Sequence, residues 1–267
     1  AGGSISNTGL GLQFFGADVT LMAKVGQDNF GKMIVDIADS YGVDNKIKMS
    51  KDSDTSYSVV IAPPGVDRIF LHCPGANDTF GYEDIDFDAV KEADLFHFGY
   101  PTIMKRLYEN PEELIAIFKK CKELHTLTSL DLAAITEGTE AAKVDWCEIF
   151  KQLLPYVDYF VPSVEEICFL IDRNRYHEWE ERAQGRDMTE VINWEEDVRP
   201  LADRLIGWGA KIVLIKCGTP GMYLRTANLK DTDMIQSEKE EWQNVEKFEE
   251  SYVAEKFCSA TGAGDVS

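Results

Sequence analysis

The residues best suited to chemistry crowd the carboxy-terminal end, in the run Ala260-Thr261-Gly262-Ala263-Gly264-Asp265-Val266-Ser267. Gly262, Ala263 and Gly264 stand directly before an aspartate. Small residues let backbone amides approach an anion closely, and a helix starting there would add its positive dipole end. A fixed carboxylate beside such a site suits phosphoryl transfer: amides hold phosphate oxygens while Asp265 takes a proton from an incoming hydroxyl. A glycine turn followed by a helix-capping aspartate has the same short signature, so the run needs support from elsewhere in the chain.

Three segments offer that support. In Gly2-Gly3-Ser4-Ile5-Ser6-Asn7, two glycines permit a close turn, and the Asn7 amide can both donate to and accept from a sugar hydroxyl. Ser6 or Asn7 as a helix cap is the competing use. In Lys216-Cys217-Gly218-Thr219-Pro220-Gly221, the amides and the Lys216 ammonium could face nucleotide phosphates; a tight turn between strands reads the same way. In Pro162-Ser163-Val164-Glu165-Glu166, a Glu166 carboxylate at a helix start can hold magnesium through water. Ser163 and Glu166 also have capping-box spacing, and both uses are compatible.

Two other glycine segments fall short. Gly26 to Lys32 has P-loop spacing, but Met33 stands where a hydroxyl would hold magnesium, so a strand-to-helix turn is expected. Gly9-Leu10-Gly11 lacks the third glycine of a dinucleotide fingerprint and lies inside a helical pattern.

Strands and helices must alternate to bring these segments together. Strands are expected at residues 18–25, 56–61, 68–71, 94–98, 127–132, 157–161, 212–215 and 222–225, with a break at Pro63-Pro64-Gly65. Helices are expected at residues 30–41, 111–124, 146–154, 163–171 and 198–206. Residues 173–197 are highly charged and read as a surface insertion, and residues 228–251 as a long loop with helical pieces. Such alternation implies a mostly parallel sheet covered by helices, with ligands gathered at the carboxyl ends of strands.

Composition narrows the partners. With 47 acidic against 27 basic residues, the formal charge is −20. Such a chain repels phosphate backbones and anionic lipid, which argues against nucleic acid and membrane partners. No apolar run approaches the length of a membrane span, and no signal peptide is expected. The six cysteines are scattered singly, as expected of reduced core thiols in a cytoplasmic protein. With no CxxC and four isolated histidines, a zinc site is not expected.

Taken together, the segments resemble the ribokinase-like (PfkB) carbohydrate kinase family, in the family's order from Gly2 to Asp265. Gly2-Gly3 with Asn7 looks like its sugar-contacting GG-x3-N segment. Val25-Gly26-Gln27-Asp28-Asn29-Phe30-Gly31 is similar to its VG-x-D-x-FG stretch, which accounts for the false P-loop. Gly75-Ala76-Asn77 resembles its GAN element, and Ser163 to Glu166 stands where it has N-x-x-E. Lys216 to Gly221 resembles its nucleotide-side turn, and Thr261 to Asp265 its most specific signature.

The resemblance implies a three-layer α/β fold in one domain across residues 1–267, with a mostly parallel central sheet flanked by helices and a small β lid within residues 55–73. It implies ATP-dependent phosphorylation of a hydroxyl on a sugar or sugar-like substrate. Asp265 would be the general base and the amides of Gly262, Ala263 and Gly264 the anion hole. Lys216, Gly218, Gly221 and Ser163 would serve the nucleotide, and Glu166 would help to place Mg2+. Gly2, Gly3, Asn7, Asn77 and Arg68 would lie on the sugar side. Arg68 could meet an anionic group, or be a surface arginine; sparse basic residues near the proposed sugar site favour an unphosphorylated sugar. A homodimer paired through lid strands is a further expectation.

The chain also departs from the pattern. Ser163 replaces an asparagine, and Ser259 stands where an aspartate is usual. The family's first strand, with a substrate-binding aspartate, would precede Gly2, and its adenine-lining segment would follow Ser267. These departures keep open a non-catalytic sensor of sugar or nucleotide as the rival reading.

Overall fold

A computed structural model describes residues 2–61, 69–230, 232, 234, 236–252 and 262–265. Twelve strands are formed among them: β1 (Thr20–Leu21), β2 (Lys24–Gly26), β3 (Asp44–Asn45), β4 (Lys48–Ser50), β5 (Tyr57–Ile61), β6 (Ile69–Cys73), β7 (Leu95–Gly99), β8 (Leu127–Asp131), β9 (Tyr159–Phe160), β10 (Ile212–Lys216), β11 (Gly221–Thr226) and β12 (Glu246–Glu250). The last six make one sheet in the order β12-β11-β10-β9-β8-β7. Neighbours from β7 to β10 run parallel, while β11 and β12 are added antiparallel.

Alternation along β7 explains how this sheet is covered. Phe96 and Phe98 point to one face, and both rings lie 6.2 Å from Phe118 on the helix Pro111–Glu123. The helices Trp146–Leu153, Val164–Ile171 and Arg199–Gly207 contribute their buried positions to the same core. Complete burial of a side chain such as Phe118 or Ile117 stabilises by about 1.5–3 kcal/mol. Alternate positions His97 and Ser129 face the other way and meet across β7 and β8 at 3.0 Å. Tyr159 and Leu127 lie beside a smaller cluster of Ile212, Leu229 and Met234.

Three segments differ from the expectation. Residues 18–25 are not one strand: β1 pairs with β3 and β2 with β4, so the chain changes partner at Met22 and Ala23. The charged segment after Ile171 forms a helix, Arg173–Ala183, whose Trp179 and Ala183 are buried. The Trp179 indole donates to buried Asp197 at 3.1 Å, which also draws in Arg175 and Arg182. Beyond residue 228, the helix Gln236–Trp242 is followed by edge strand β12. Its sequence, Glu-Lys-Phe-Glu-Glu, hides a strand because only Phe248 packs, stacked on Trp194 at 5.9 Å.

β5 and β6 form an antiparallel hairpin in register Val59↔Leu71. Tyr57, Val59, Ile61, Ile69 and Leu71 remain exposed on it. No helix among the described residues is long and apolar enough to cross a membrane.

Candidate active site

The carboxyl ends of the parallel strands assemble the site. Gly99 ends β7 opposite Asp131, which ends β8, and Lys216 ends β10. Ser163, just past β9, bridges in parallel to Lys216, whose N–H donates to the Pro162 carbonyl at 2.9 Å. The amino-terminal segment lies across the end of β7 because Gly99 has no side chain; a Cβ there would fall on the Ser4 hydroxyl. The helical turn Ile5–Gly9 then carries Asn7 and Thr8 to the turn of residues 262–265.

Asp265 is the hub of that meeting. Asn7 Nδ2 donates to Asp265 Oδ2 at 2.7 Å, and the Tyr100 hydroxyl donates to Oδ1. Thr8 Oγ1 donates to the Asp265 carbonyl at 2.7 Å, and the Asp265 N–H closes on the Gly262 carbonyl at 3.1 Å. Gly262 has φ +79°, a conformation that favours glycine, and a Cβ there would lie 3.1 Å from the Asn7 amide. Ala263 and Gly264 are exposed at the tip of the turn.

Lys216 ties this turn to the sheet. Its Nζ donates to Asp131 Oδ1 at 2.9 Å and to the Gly264 carbonyl at 3.1 Å. Burial pushes the Asp131 carboxyl up to about 6; the Lys216 ammonium opposes this and the Glu166 carboxylate adds to it. Burial and then the Lys216 charge push the His97 imidazole down to about 4, against the pull of Asp265. The Tyr100 phenol is raised well above its ordinary value by burial and by its bond to Asp265.

Ser163 and Glu166 cap the helix Val164–Ile171 reciprocally. Ser163 N–H donates to Glu166 Oε2 at 2.9 Å, and Glu166 N–H to Ser163 Oγ at 3.3 Å. Among the described residues no group of three His, Cys, Asp or Glu is placed to hold a metal. A magnesium ion carried by a nucleotide needs only one or two carboxylates, the rest being water and phosphate oxygens. Glu166 and Asp131, two carboxylates close enough to repel, fit that requirement.

The remaining candidates are dispersed around this centre. Gly3, at φ +71°, packs under the Tyr100 ring, 3.5 Å from where its Cβ would be, whereas Gly2 is exposed. Gly218, at φ +66°, faces Thr189 and not the turn of residues 262–265. Gly221 begins β11 and packs on the Glu249 carbonyl of β12. Asn77 lies in the turn Gly75–Thr79, which is pinned by the Ala76 N–H donating to Asp54 O at 2.8 Å. Arg68 and Ser259 lie outside the described residues.

Asp131, Thr8 and His97 do not stand out as site residues in the sequence, and Tyr100 does so only as an aromatic that could pack against a sugar ring or equally in the core. A usable signal existed for Tyr100 and Asp131: each stands at or just past the carboxyl end of an apolar strand, as Lys216 does. Tyr100 also adopts φ +69°, rare for an aromatic residue and invisible in the sequence.

Comparison with known proteins bears on the family and the fold. A family model described as pfkB family carbohydrate kinase matches residues 1–267. An uncharacterized sugar kinase of Archaeoglobus fulgidus is 22% identical over 257 residues, covering 96% of this chain and 82% of that protein. The probable fructokinase-6, chloroplastic, of Arabidopsis thaliana is 26% identical over 175 residues, covering 63% of this chain and 44% of its own length. Among solved structures, a ribokinase from Giardia lamblia superposes with TM-score 0.70 at 16% identity, covering 99% of this chain and 70% of that one. A putative ribokinase II from E. coli in complex with ATP and Mg2+ gives TM-score 0.68 at 18% identity, covering 99% and 72%.

Proposed function

This chain belongs to the pfkB family of carbohydrate kinases, and we propose that it transfers the γ-phosphoryl group of ATP to a hydroxyl of an unphosphorylated sugar or polyol. Asp265 is the general base. The observation that carries this reading is the position of its carboxylate, held by Asn7 and Tyr100 on a turn that Lys216 ties to the end of β10.

In the forward reaction the acceptor hydroxyl gives its proton to Asp265 as its oxygen bonds to the γ-phosphorus, while the bond to the β,γ-bridging oxygen breaks and ADP leaves. The backbone amides of Gly262, Ala263 and Gly264 take up charge on the phosphoryl oxygens. Lys216 lies between this turn and Asp131, where its ammonium serves the phosphates. Glu166 and Asp131 would hold a magnesium ion brought by the nucleotide, which would supply charge neutralisation for the phosphates. Gly3, Asn7, Thr8 and Tyr100 are uncharged, which favours an acceptor without a phosphate of its own. The β5–β6 hairpin, apolar and exposed, is the lid that keeps water from the reacting group.

An ADP-release assay over a panel of pentoses, hexoses and polyols tests the reading. At least one acceptor should support turnover, and Asp265→Asn should lower it by at least ~100-fold with acceptor affinity little changed. Near-normal turnover in that variant removes Asp265 from the role. One observation favours a second reading, a non-catalytic sensor: both the N–H and the hydroxyl of Ser163, where the family pattern has asparagine, are engaged by Glu166. A sugar that raises the melting temperature but releases no ADP would support it.

A further inference from the structure

We propose that Tyr100 caps the Asp265 carboxylate while no acceptor is bound, so that water cannot use this base to hydrolyse ATP. The proposal rests on Asp265 being the base and adds a device that protects the nucleotide. Each oxygen of the carboxylate accepts a hydrogen bond: Asn7 Nδ2 donates to Oδ2 at 2.7 Å and the Tyr100 hydroxyl to Oδ1. Asp265 is nevertheless only half-buried, on a turn whose neighbours Ala263 and Gly264 are exposed. Solvent therefore reaches the vicinity, and an uncapped carboxylate there is open to any water that enters.

The phenol is held in place by several contacts. Tyr100 stands directly after β7 in a left-handed conformation, φ +69°, that a bulky residue adopts only when its surroundings impose it. Its N–H donates to the Asp131 carbonyl at 3.1 Å, its carbonyl accepts from Ile103 N–H at 3.2 Å, and Pro101 follows. One ring edge lies against Gly3, with Cε2 3.5 Å from where a Gly3 Cβ would be. The phenol thus lies between the opening diglycine and the base, on the side where the acceptor must arrive.

Displacement then depends on what arrives. A sugar hydroxyl comes with the other hydroxyls of its ring, which contact Gly3 and Asn7 and offset the lost phenol–carboxylate bond. A single water brings no such contacts, and a charge-assisted hydrogen bond is among the stronger ones a side chain makes. In the suppressed side reaction the water oxygen bonds to the γ-phosphorus, the bond to the β,γ-bridging oxygen breaks, Asp265 takes one water proton, and ADP and inorganic phosphate leave. Tyr100 is therefore a positioning residue acting through Asp265.

The test measures inorganic phosphate released from magnesium-ATP with no sugar present, so the acceptor need not be known. Wild type, Tyr100→Phe, Asp265→Asn and the double variant are compared as the full chain. Removing the hydroxyl should raise phosphate release at least ~10-fold, on the scale of one charge-assisted hydrogen bond, and the double variant should fall back to the Asp265→Asn rate. A merely structural role for the phenol predicts the opposite, a loss of both hydrolysis and transfer. Phosphate release in Tyr100→Phe at or below wild type overturns the cap, as does a high rate that survives in the double variant. Should Tyr100→Phe not fold, Tyr100→Met lacks the same hydroxyl and is read by the same criteria. Failure of the underlying reading shows separately, as sugar-dependent ADP release that persists in Asp265→Asn.

Discussion

At the scale of single residues, burial sets two titrations of opposite sign beside the site. His97 Nδ1 meets Ser129 Oγ at 3.0 Å, and its Nε2 is buried with no hydrogen-bond partner among the described residues. The folded chain holds this imidazole neutral down to about pH 4, whereas the unfolded chain protonates it near 6.5. The unfolded state therefore binds the extra proton first, and stability falls as pH drops through that window. Asp131 works the other way: its folded value of about 6 exceeds the unfolded 3.8, so its contribution is lost as pH rises between them. Replacing His97 with Gln, which takes up no proton, should shrink the loss of urea midpoint between pH 7 and pH 5. Replacing Asp131 with Asn should steepen that loss. Equal pH slopes in wild type and His97→Gln would show that His97 is not held neutral.

At the scale of elements, the turn of residues 216–221 is buttressed by the segment that follows the helix Arg173–Ala183. Thr189, in the short helix Met188–Val191, lies where a side chain on Gly218 would be, with its Cγ2 2.9 Å from an added Cβ. Gly218→Ala meets two penalties: the left-handed φ of +66°, at roughly 1–2 kcal/mol, and the contact with Thr189. Adding Thr189→Ala should relieve the second and leave the first, so the double variant should lose less in urea unfolding than the sum of the two single losses; full additivity of the losses would show that the two residues do not touch. This contact also marks where the sequence stops being readable. The capping box of Ser163 and Glu166 forms as its spacing predicts, because a cap depends on four consecutive residues. The false P-loop resolves as packing: Asp28 caps the helix Asn29–Ser40 and also binds Thr55, and a Cβ on Gly31 would fall on the Gly26 carbonyl. Trp179 under a charged segment, Phe248 on an edge strand and the Tyr100–Asp265 pair were not legible. Each depends on a partner far along the chain, 165 residues in the last case, and no local period encodes such a distance.

At the scale of the whole molecule, the formal charge of −20 works against the nucleotide of the proposed reaction. Magnesium-ATP is itself an anion, so the far field of this protein would repel it, while attraction would come from groups at the turn such as Lys216 and the backbone amides. Range decides between the two. The screening length is about 30 Å at 0.01 M salt and about 10 Å at 0.1 M. Raising salt across that interval removes the repulsion of distant carboxylates before it weakens contacts of a few ångströms. The association rate of a fluorescent ATP analogue, followed by stopped flow in the presence of magnesium, should therefore rise as salt increases from 0.01 to 0.1 M. Uptake of a neutral sugar should hardly respond. This inverts the usual salt dependence of enzymes whose surfaces steer an oppositely charged ligand inward. An association rate that falls with salt from the lowest concentration upward would show that a local positive potential at the Lys216 edge outweighs the net charge even at long range.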